Sequence, residues 1–312
     1  MGTDPTRGRS EDLPLRNDLV RTVIAILVLG LALAAGSATA SDSGTSVAAV
    51  QLPAWVERGG RVVPVRPGFT LEPGDVLITG AKGRVHVDTP DGSVIKLGSA
   101  GRIGLDKLVV HTDTDGQGLF EGALNVVKGA FRFTTRLAGR TSRRDVRVRV
   151  GVVTAGIRGT DIWGKSDDEK DLICLLEGKI AIGSDGQPEQ TMADALTFYV
   201  VPKGQPPKPI VPVDPNKVVN EWAPQTEMVP DAPTLVADGS YIVIALSQTS
   251  AEGAEFIAGK LAESGYPAEV DTADGRYFRV SLRSFATLDE ANAMAAQLEN
   301  IGGVRGAYAK RR

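Results

Sequence analysis

The sequence predicts a multidomain, β-rich chain: an all-β sandwich or barrel-like module, then a C-terminal α+β module in βαββαβ order. The latter is a four-stranded antiparallel sheet with two helices on one face. Three observations predict this. Short alternating strands punctuated by Gly, Pro and Asp turns run through residues 47–201. Nine prolines then fall within the 32 residues from Pro202 to Pro233. Residues 239–312 repeat one strand–helix–strand grammar twice, with Thr-led helix starts 38 residues apart.

At the N-terminus, residues 23–35 form an apolar run of 13 behind Arg16 and Arg21, followed by small residues at Ala38 and Ala40. This is the pattern of a secretory signal over residues 1–40, and the run is short for a membrane span. Cleavage after Ala40 is the first expectation and an uncleaved signal anchor the second. Only the second would bring the chain into contact with a membrane, and in either case the remainder lies outside the cytoplasm.

In the β-rich module, Trp55–Arg58 and Arg61–Val65 flank Gly59-Gly60, a two-residue hairpin signal. Arg84–Asp88 alternates polar with apolar, and Pro90-Asp91-Gly92-Ser93 turns the chain into Val94–Leu97. Ala123–Val127, Phe131–Phe133 and Val146–Val150 supply further strands, the last with one basic and one Val face.

Four separated motifs then occur in order: Leu71-Glu72-Pro73-Gly74-Asp75-Val76-Leu77-Ile78-Thr79-Gly80, Asp91-Gly92-Ser93, Gly156-Ile157-Arg158-Gly159-Thr160-Asp161 and Leu176-Glu177-Gly178-Lys179-Ile180. Over roughly residues 68–184 they resemble the FecR-type periplasmic domain. The residues themselves read first as turn chemistry, with glycines at positive φ and Thr160 and Asp161 satisfying turn amides, and second as ligand or partner contacts. Proteins of that family are known as signal transducers that hold a sigma factor through a cytoplasmic N-terminal domain. Only about 22 residues precede the apolar run here, too few for such a domain. The resemblance therefore implies a ligand- or protein-interaction module in the periplasm, without the anti-sigma role.

Two local features in this module compete with blander readings. Arg132, Arg136, Arg140, Arg143, Arg144, Arg147 and Arg149 crowd within 18 residues, as a charge-guarded loop and edge strand or as a seat for an anionic polymer. Asp113-Thr114-Asp115-Gly116 matches part of a calcium loop but lacks a third oxygen ligand and a distal Glu, so a plain turn is expected.

The Pro-rich segment, residues 202–238, predicts an extended linker that could reach on the order of 100 Å at about 3.1 Å per residue. Within it Trp222 is expected to dock on a domain surface.

In the C-terminal module, Tyr241–Leu246 is a strand, Thr249-Ser250-Ala251-Glu252 reads as a capping box, and Ala254, Ile257, Ala258 and Leu261 give the helical stripe. After Gly265 and a strand from Tyr266, the pattern recurs: strand Phe278–Leu282, capping box Thr287–Glu290, stripe Ala291, Met294, Ala295 and Leu298, and a last strand near Arg305–Ala309. If Phe278, Val280 and Leu282 face the helices, Arg279, Ser281 and Arg283 face outward. From spacing alone these are either solvated residues or a binding face.

Tyr241, Val243, the Glu252–Leu261 helix, Gly265-Tyr266-Pro267-Ala268, Phe278–Leu282, and Phe285 through Ala291 make residues 240–310 similar to the SPOR domain. The resemblance implies binding of peptidoglycan, as glycan strands stripped of stem peptides, on the sheet face the helices leave open. It points to Ile244, Gln248, Arg279, Ser281 and Arg283 as the glycan-binding residues. The family's first strand presents a Gln, then a Gly, and ends in an aromatic residue. Here Ile244, Leu246 and Gln248 occupy those places, so Ile242, Ile244 and Leu246 form an apolar stripe that either stacks on sugar rings or packs against protein.

Chemistry elsewhere is sparse. The net charge of −3 argues against nucleic acid as a partner. Cys174, the single cysteine, sits in an apolar run and reads as a buried structural thiol, and His86 and His111 stand apart, so neither metal nor cofactor is expected. No Gly-x-Ser-x-Gly or Cys–His pairing suggests an enzyme, and Asp167-Asp168 reads as a turn. The leading expectation is a non-catalytic peptidoglycan-binding protein of the periplasm. The alternative is an envelope signalling or scaffold protein whose first module binds a protein partner and whose second only localises it.

Overall fold

The computed structural model describes residues 44–112, 118–135, 143–273, 275–299 and 301–312. The signal segment, the Asp113–Gly116 turn, Arg136 and Arg140 lie outside the described residues. Residues Gly44–Arg312 form one compact unit. Among the described residues, no helix is long and apolar enough to cross a membrane.

The strands of the first module are β1 (Ser46–Gln51), β2 (Ala54–Arg58), β3 (Arg61–Pro64), β4 (Asp75–Thr79), β5 (Arg84–Asp88), β6 (Val94–Leu97), β7 (Arg102–Thr112) and β8 (Gly118–Thr134), followed by β9 (Arg143–Val150), β10 (Val153–Ile157), β11 (Asp161–Ser166), β12 (Lys170–Glu177), β13 (Ile180–Ser184), β14 (Gln190–Met192) and β15 (Thr197–Pro202). They make two facing sheets. The first runs β1–β5–β6–β8–β11–β12–β15. The second runs β3–β2–β4–β7–β8–β9–β10–β13–β14. Strand β8 belongs to both because it bends at Gly129, whose φ is +89° and where a Cβ would lie 2.6 Å from Gly101 Cα. Strands alternate inward and outward, so Val85 and Val87, or Val146, Val148 and Val150, enter the core between the sheets.

The Gly59-Gly60 hairpin forms as expected, with φ of +56° and +78°. Strand β9 departs from expectation: it is an internal strand, parallel to β8 and antiparallel to β10. Its arginines therefore guard no open edge.

The Pro-rich segment does not run free. It contributes β16 (Val211–Pro212), paired with β15, and β17 (Thr234–Val236), paired with β1. Between them it lies on the outer face of the first sheet, where Trp222 stacks on Trp163 at 4.8 Å with rings 8° from parallel and meets Phe198 edge-on at 6.0 Å. Val213, Val218 and Trp222 close a second apolar cluster over Ala130, Trp163, Leu172, Cys174 and Val200. Polyproline backbone lacks internal hydrogen bonds and is extended only if nothing apolar calls it back. Here a tryptophan and two valines find a sheet face.

The same segment carries Glu227, which bonds Lys96 Nζ at 2.5 Å and Arg132 Nη1 at 2.9 Å, while the Thr226 carbonyl meets His86 Nε2 at 3.0 Å. Desolvation lowers the pKa of His86 from its ordinary value, against the hydrogen bond to Thr226. Desolvation alone would raise Glu227, but the Lys96 hydrogen bond and the charges of Lys96 and Arg132 outweigh it and hold the carboxyl low. Both groups bind protons more readily when the segment is undocked. Docking is therefore fully stabilised above the ordinary histidine pKa of 6.5 and weakens in two steps, below 6.5 and again below 4.5. Near-ultraviolet circular dichroism of the stacked tryptophans should fall in those two windows, and His86→Asn should abolish the upper step.

The C-terminal module is β18 (Tyr241–Gln248), α1 (Ala251–Glu263), β19 (Glu269–Ala273), β20 (Tyr277–Phe285), α2 (Leu288–Leu298) and β21 (Tyr308–Arg311). Its antiparallel sheet runs β19–β20–β18–β21 with both helices on one face, the βαββαβ layout expected. Helix α2 starts on a full capping box, Thr287 with Glu290. Helix α1 starts one residue later than expected: Ser250 caps Gly253 N, and Gly253 at the third position cannot reciprocate.

The two modules share one apolar core, which runs from Leu52, Ala54 and Val56 to Leu261, Tyr266 and Leu282. Gly265, with φ of +86°, packs against the Trp55 ring where a Cβ would come within 2.6 Å, and Ala54 N donates to Gly265 O at 3.3 Å. Strand β17 also touches β20 through Leu235 and Phe285, so hydrogen bonding passes from β1 into the C-terminal sheet.

Candidate functional site

The C-terminal sheet has one face under helices α1 and α2 and one face turned away from them. Residues directly opposite on antiparallel strands share a face. Val243, Val280, Leu282 and Phe285 are fully buried on the helix side. The other face is then read off in rows. Glu269, Ser281, Ile244 and Tyr308 make one row across β19, β20, β18 and β21; Arg283, Ile242 and Lys310 make the next; Asp271, Arg279 and Ser247 lie on the far side of the first; Tyr277 ends β20.

Arg279, Ser281 and Arg283 thus stand on the outward face. Ile244 does too, but it and Ser281 are closed off, at 1% and 0% exposure. Ile242 is nearly as buried, at 6%. These three form a floor and are not contact residues. Among the described residues the Ser281 hydroxyl has no hydrogen-bond partner, which makes it a buried polar atom on this side of the sheet.

Gln248 is not on this face. Ala245 is an extra residue, a β-bulge that shifts the register between Ile244 and Leu246. Beyond it, Leu246 packs into the core opposite Val280, Ser247 takes the outward position, and Gln248 faces Phe278 on the helix side beside Gly253. The expected apolar stripe of Ile242, Ile244 and Leu246 therefore loses Leu246.

The accessible layer is polar and aromatic. Arg283 bonds Asp271 (Nη2 to Oδ2, 2.5 Å) and lies 3.0 Å from Glu269 through Nε. Arg66, from the first module, approaches Glu269 from outside at 3.9 Å. Arg279 and Lys310 are half-buried, while Tyr277 and Tyr308 are 49% and 50% exposed. Periodicity counting did not single out these two rings. The signal for Tyr308 was present, since Tyr308-Ala309-Lys310 alternates like a strand with its ring and amine on one side.

The acidic residues of the first module's motifs make structural contacts, but Thr160 and Asp161 do not satisfy turn amides as expected: among the described residues the buried Thr160 hydroxyl has no partner, and Asp161 accepts from the side chains of Arg132 and Thr134. Asp75, 1% exposed, is clamped by Arg58 through Nε at 2.7 Å and Nη2 at 2.6 Å. Asp91 accepts from Thr89, Ser93 and Arg144. Asp161 holds Arg132 in a two-point contact at 3.0 and 2.7 Å. Asp171, fully buried, accepts from Ser166 Oγ, Val152 N and Lys203. The arginine crowd is dispersed by these pairings: Arg132 goes to Asp161 and Glu227, Arg144 to Asp91, Arg149 to Asp185. Cys174 is buried, and desolvation pushes its thiol up to about 12, which leaves it inert. Among the described residues no cluster of His, Cys, Asp and Glu could hold a metal ion.

With this geometry in place, comparison with known proteins gives two matches to family models. The FecR protein family model matches residues 75–181 and the SPOR domain model residues 237–310. No curated protein matches. A putative anti-sigma factor from Parabacteroides distasonis ATCC 8503, solved at 1.65 Å and at 2.50 Å, is similar at 15% identity with a TM-score of 0.36 in both structures. The similarity covers 46% of this chain and 62% of that one, so the chain spans less than two thirds of the solved protein.

Proposed function

We propose that the chain, which carries a FecR-type module and a SPOR domain, is an exported, non-catalytic envelope protein that faces the periplasm and holds peptidoglycan on the open face of its C-terminal sheet. The observation that carries this reading is the layer of Tyr277, Arg279, Arg283, Tyr308 and Lys310 opposite both helices. Guanidinium and ammonium groups donate to sugar acetamides and carboxylates, and exposed rings offer flat apolar surface to sugar rings. Removing stem peptides from the glycan frees its lactyl carboxylates, the group these cations would meet, so denuded strands are the favoured form.

The test is co-sedimentation of the full chain with purified sacculi before and after enzymatic removal of stem peptides. The full chain is needed because cutting at residue 239 would expose the core shared by Leu52, Ala54 and Tyr266. Pelleting should increase after stripping, and its absence in both cases overturns the reading. Tyr308→Ala, at a half-exposed position, should weaken binding about five- to tenfold with no change in melting temperature.

A second reading, in which the first module also engages an envelope protein, is favoured by a groove of about 590 Å³ across β9, β10, β13 and β14. Arg147, Arg158 and Lys179 line it with Asp145 and Glu189. Capture of one defined partner that Arg158→Glu abolishes would support it.

A further inference from the structure

At one end of the first sheet the Pro-rich segment roofs a cleft of about 420 Å³. Arg84 of β5, the turn residues Ser99 and Ala100 after β6, Lys128 beside the bend of β8, and Lys165 with Asp167 at the end of β11 make its walls; Pro224 and Gln225 make the roof. Three cations thus face one carboxylate. That carboxylate is already occupied, because Asp167 holds Lys165 at 3.2 Å and accepts from the amides of Glu169 and Lys170 at 3.0 Å each. Among the described residues Arg84 reaches only the Pro224 carbonyl, at 3.4 Å through Nη2, and its buried Nε has no acceptor. A guanidinium stays protonated even when partly desolvated, so this is a charged donor without its counterpart. Lys128 is exposed, and no hydrogen bond or ion pair to a described residue ties it down.

We infer that this cleft is an oxyanion site, which takes a carboxylate or phosphate group of a small ligand between Arg84 and Lys128. The site is independent of the glycan face, and its roof gives it a consequence of its own. Gln225 O rests on Gly98, where a Cβ would lie 2.3 Å from it, so the segment fits down only over a bare backbone. Pro224 and Gln225 of the segment complete the cleft, so a ligand that binds the docked form favours docking, and docking favours the ligand by the same factor.

The experiment titrates the full chain with inorganic phosphate and, separately, with citrate, at constant ionic strength set by chloride, and reads heat and melting temperature. Saturable binding of either anion is expected, with a rising melting temperature; the anion that binds identifies the source of the group. Arg84→Gln should weaken it at least tenfold and Lys128→Gln about fivefold. Lys128→Gln, at an exposed site, cannot fail by unfolding, so it keeps the test sound if Arg84→Gln is unstable. Gly98→Val, which lifts the roof, should also abolish saturation. Shifts that chloride reproduces, or affinity unchanged in Lys128→Gln, would overturn the inference. Sacculus binding should be unaffected by Lys128→Gln, so the two readings fail separately.

Discussion

Replacing Trp222 by alanine is expected to lower the free energy of unfolding by about 3–5 kcal/mol, the usual range for truncating a buried tryptophan. The ring is 9% exposed, lies flat on Trp163 and takes the edge of Phe198. Its loss leaves a hole in the second apolar cluster and wets the face that covers Cys174. Urea titration measures the effect directly. The thiol provides a second readout: Cys174 should react with a thiol reagent in the variant far faster than in the parent. Should the unfolding midpoint move by less than the equivalent of about 1 kcal/mol, the segment would be a loose cover and not part of the fold.

Arg283→Ala is expected to cut sacculus binding by roughly ten- to a hundredfold, equivalent to about 1.4–2.8 kcal/mol. Two effects add. A charged donor is lost from the face, and Glu269 and Asp271, which Arg283 now holds, are left as bare carboxylates beneath an anionic polymer. Adding Glu269→Gln and Asp271→Asn to the variant should restore part of the binding, because the repulsive half of the effect goes with them. If Arg283→Ala binds sacculi as the parent does, the polymer lies elsewhere.

Local signals were legible in the sequence and long-range ones were not. The Thr287–Glu290 cap, the Ala291–Leu298 stripe and the Gly59-Gly60 hairpin are written within a few residues and appear where expected. The outward placement of Arg279, Ser281 and Arg283 follows from period two alone. Gln248 failed for a definite reason: a bulge at Ala245 adds one residue that no alternation count can see, and one residue reverses the face. Burial of Ile244 and Ser281 was equally hidden, since strand alternation sets the face a side chain takes and not what covers that face. The docking of the Pro-rich segment depends on Trp222 meeting Trp163, 59 positions earlier, and on Glu227 meeting Lys96 and Arg132. Composition suggested an extended linker, and packing made it a layer.

The short strand β17 gives that layer a mechanical meaning. It is stitched to β1 by the pairs Ala49–Val236, Val50–Leu235 and Gln51–Thr234, and meets β20 at Leu235. If growing wall drags on the C-terminal module, the tug is borne by these rungs and by the Gln51 side-chain bonds to Val229 and Thr234. There is no slack to take up first, so displacement of the wall would be felt at once by the body of the protein.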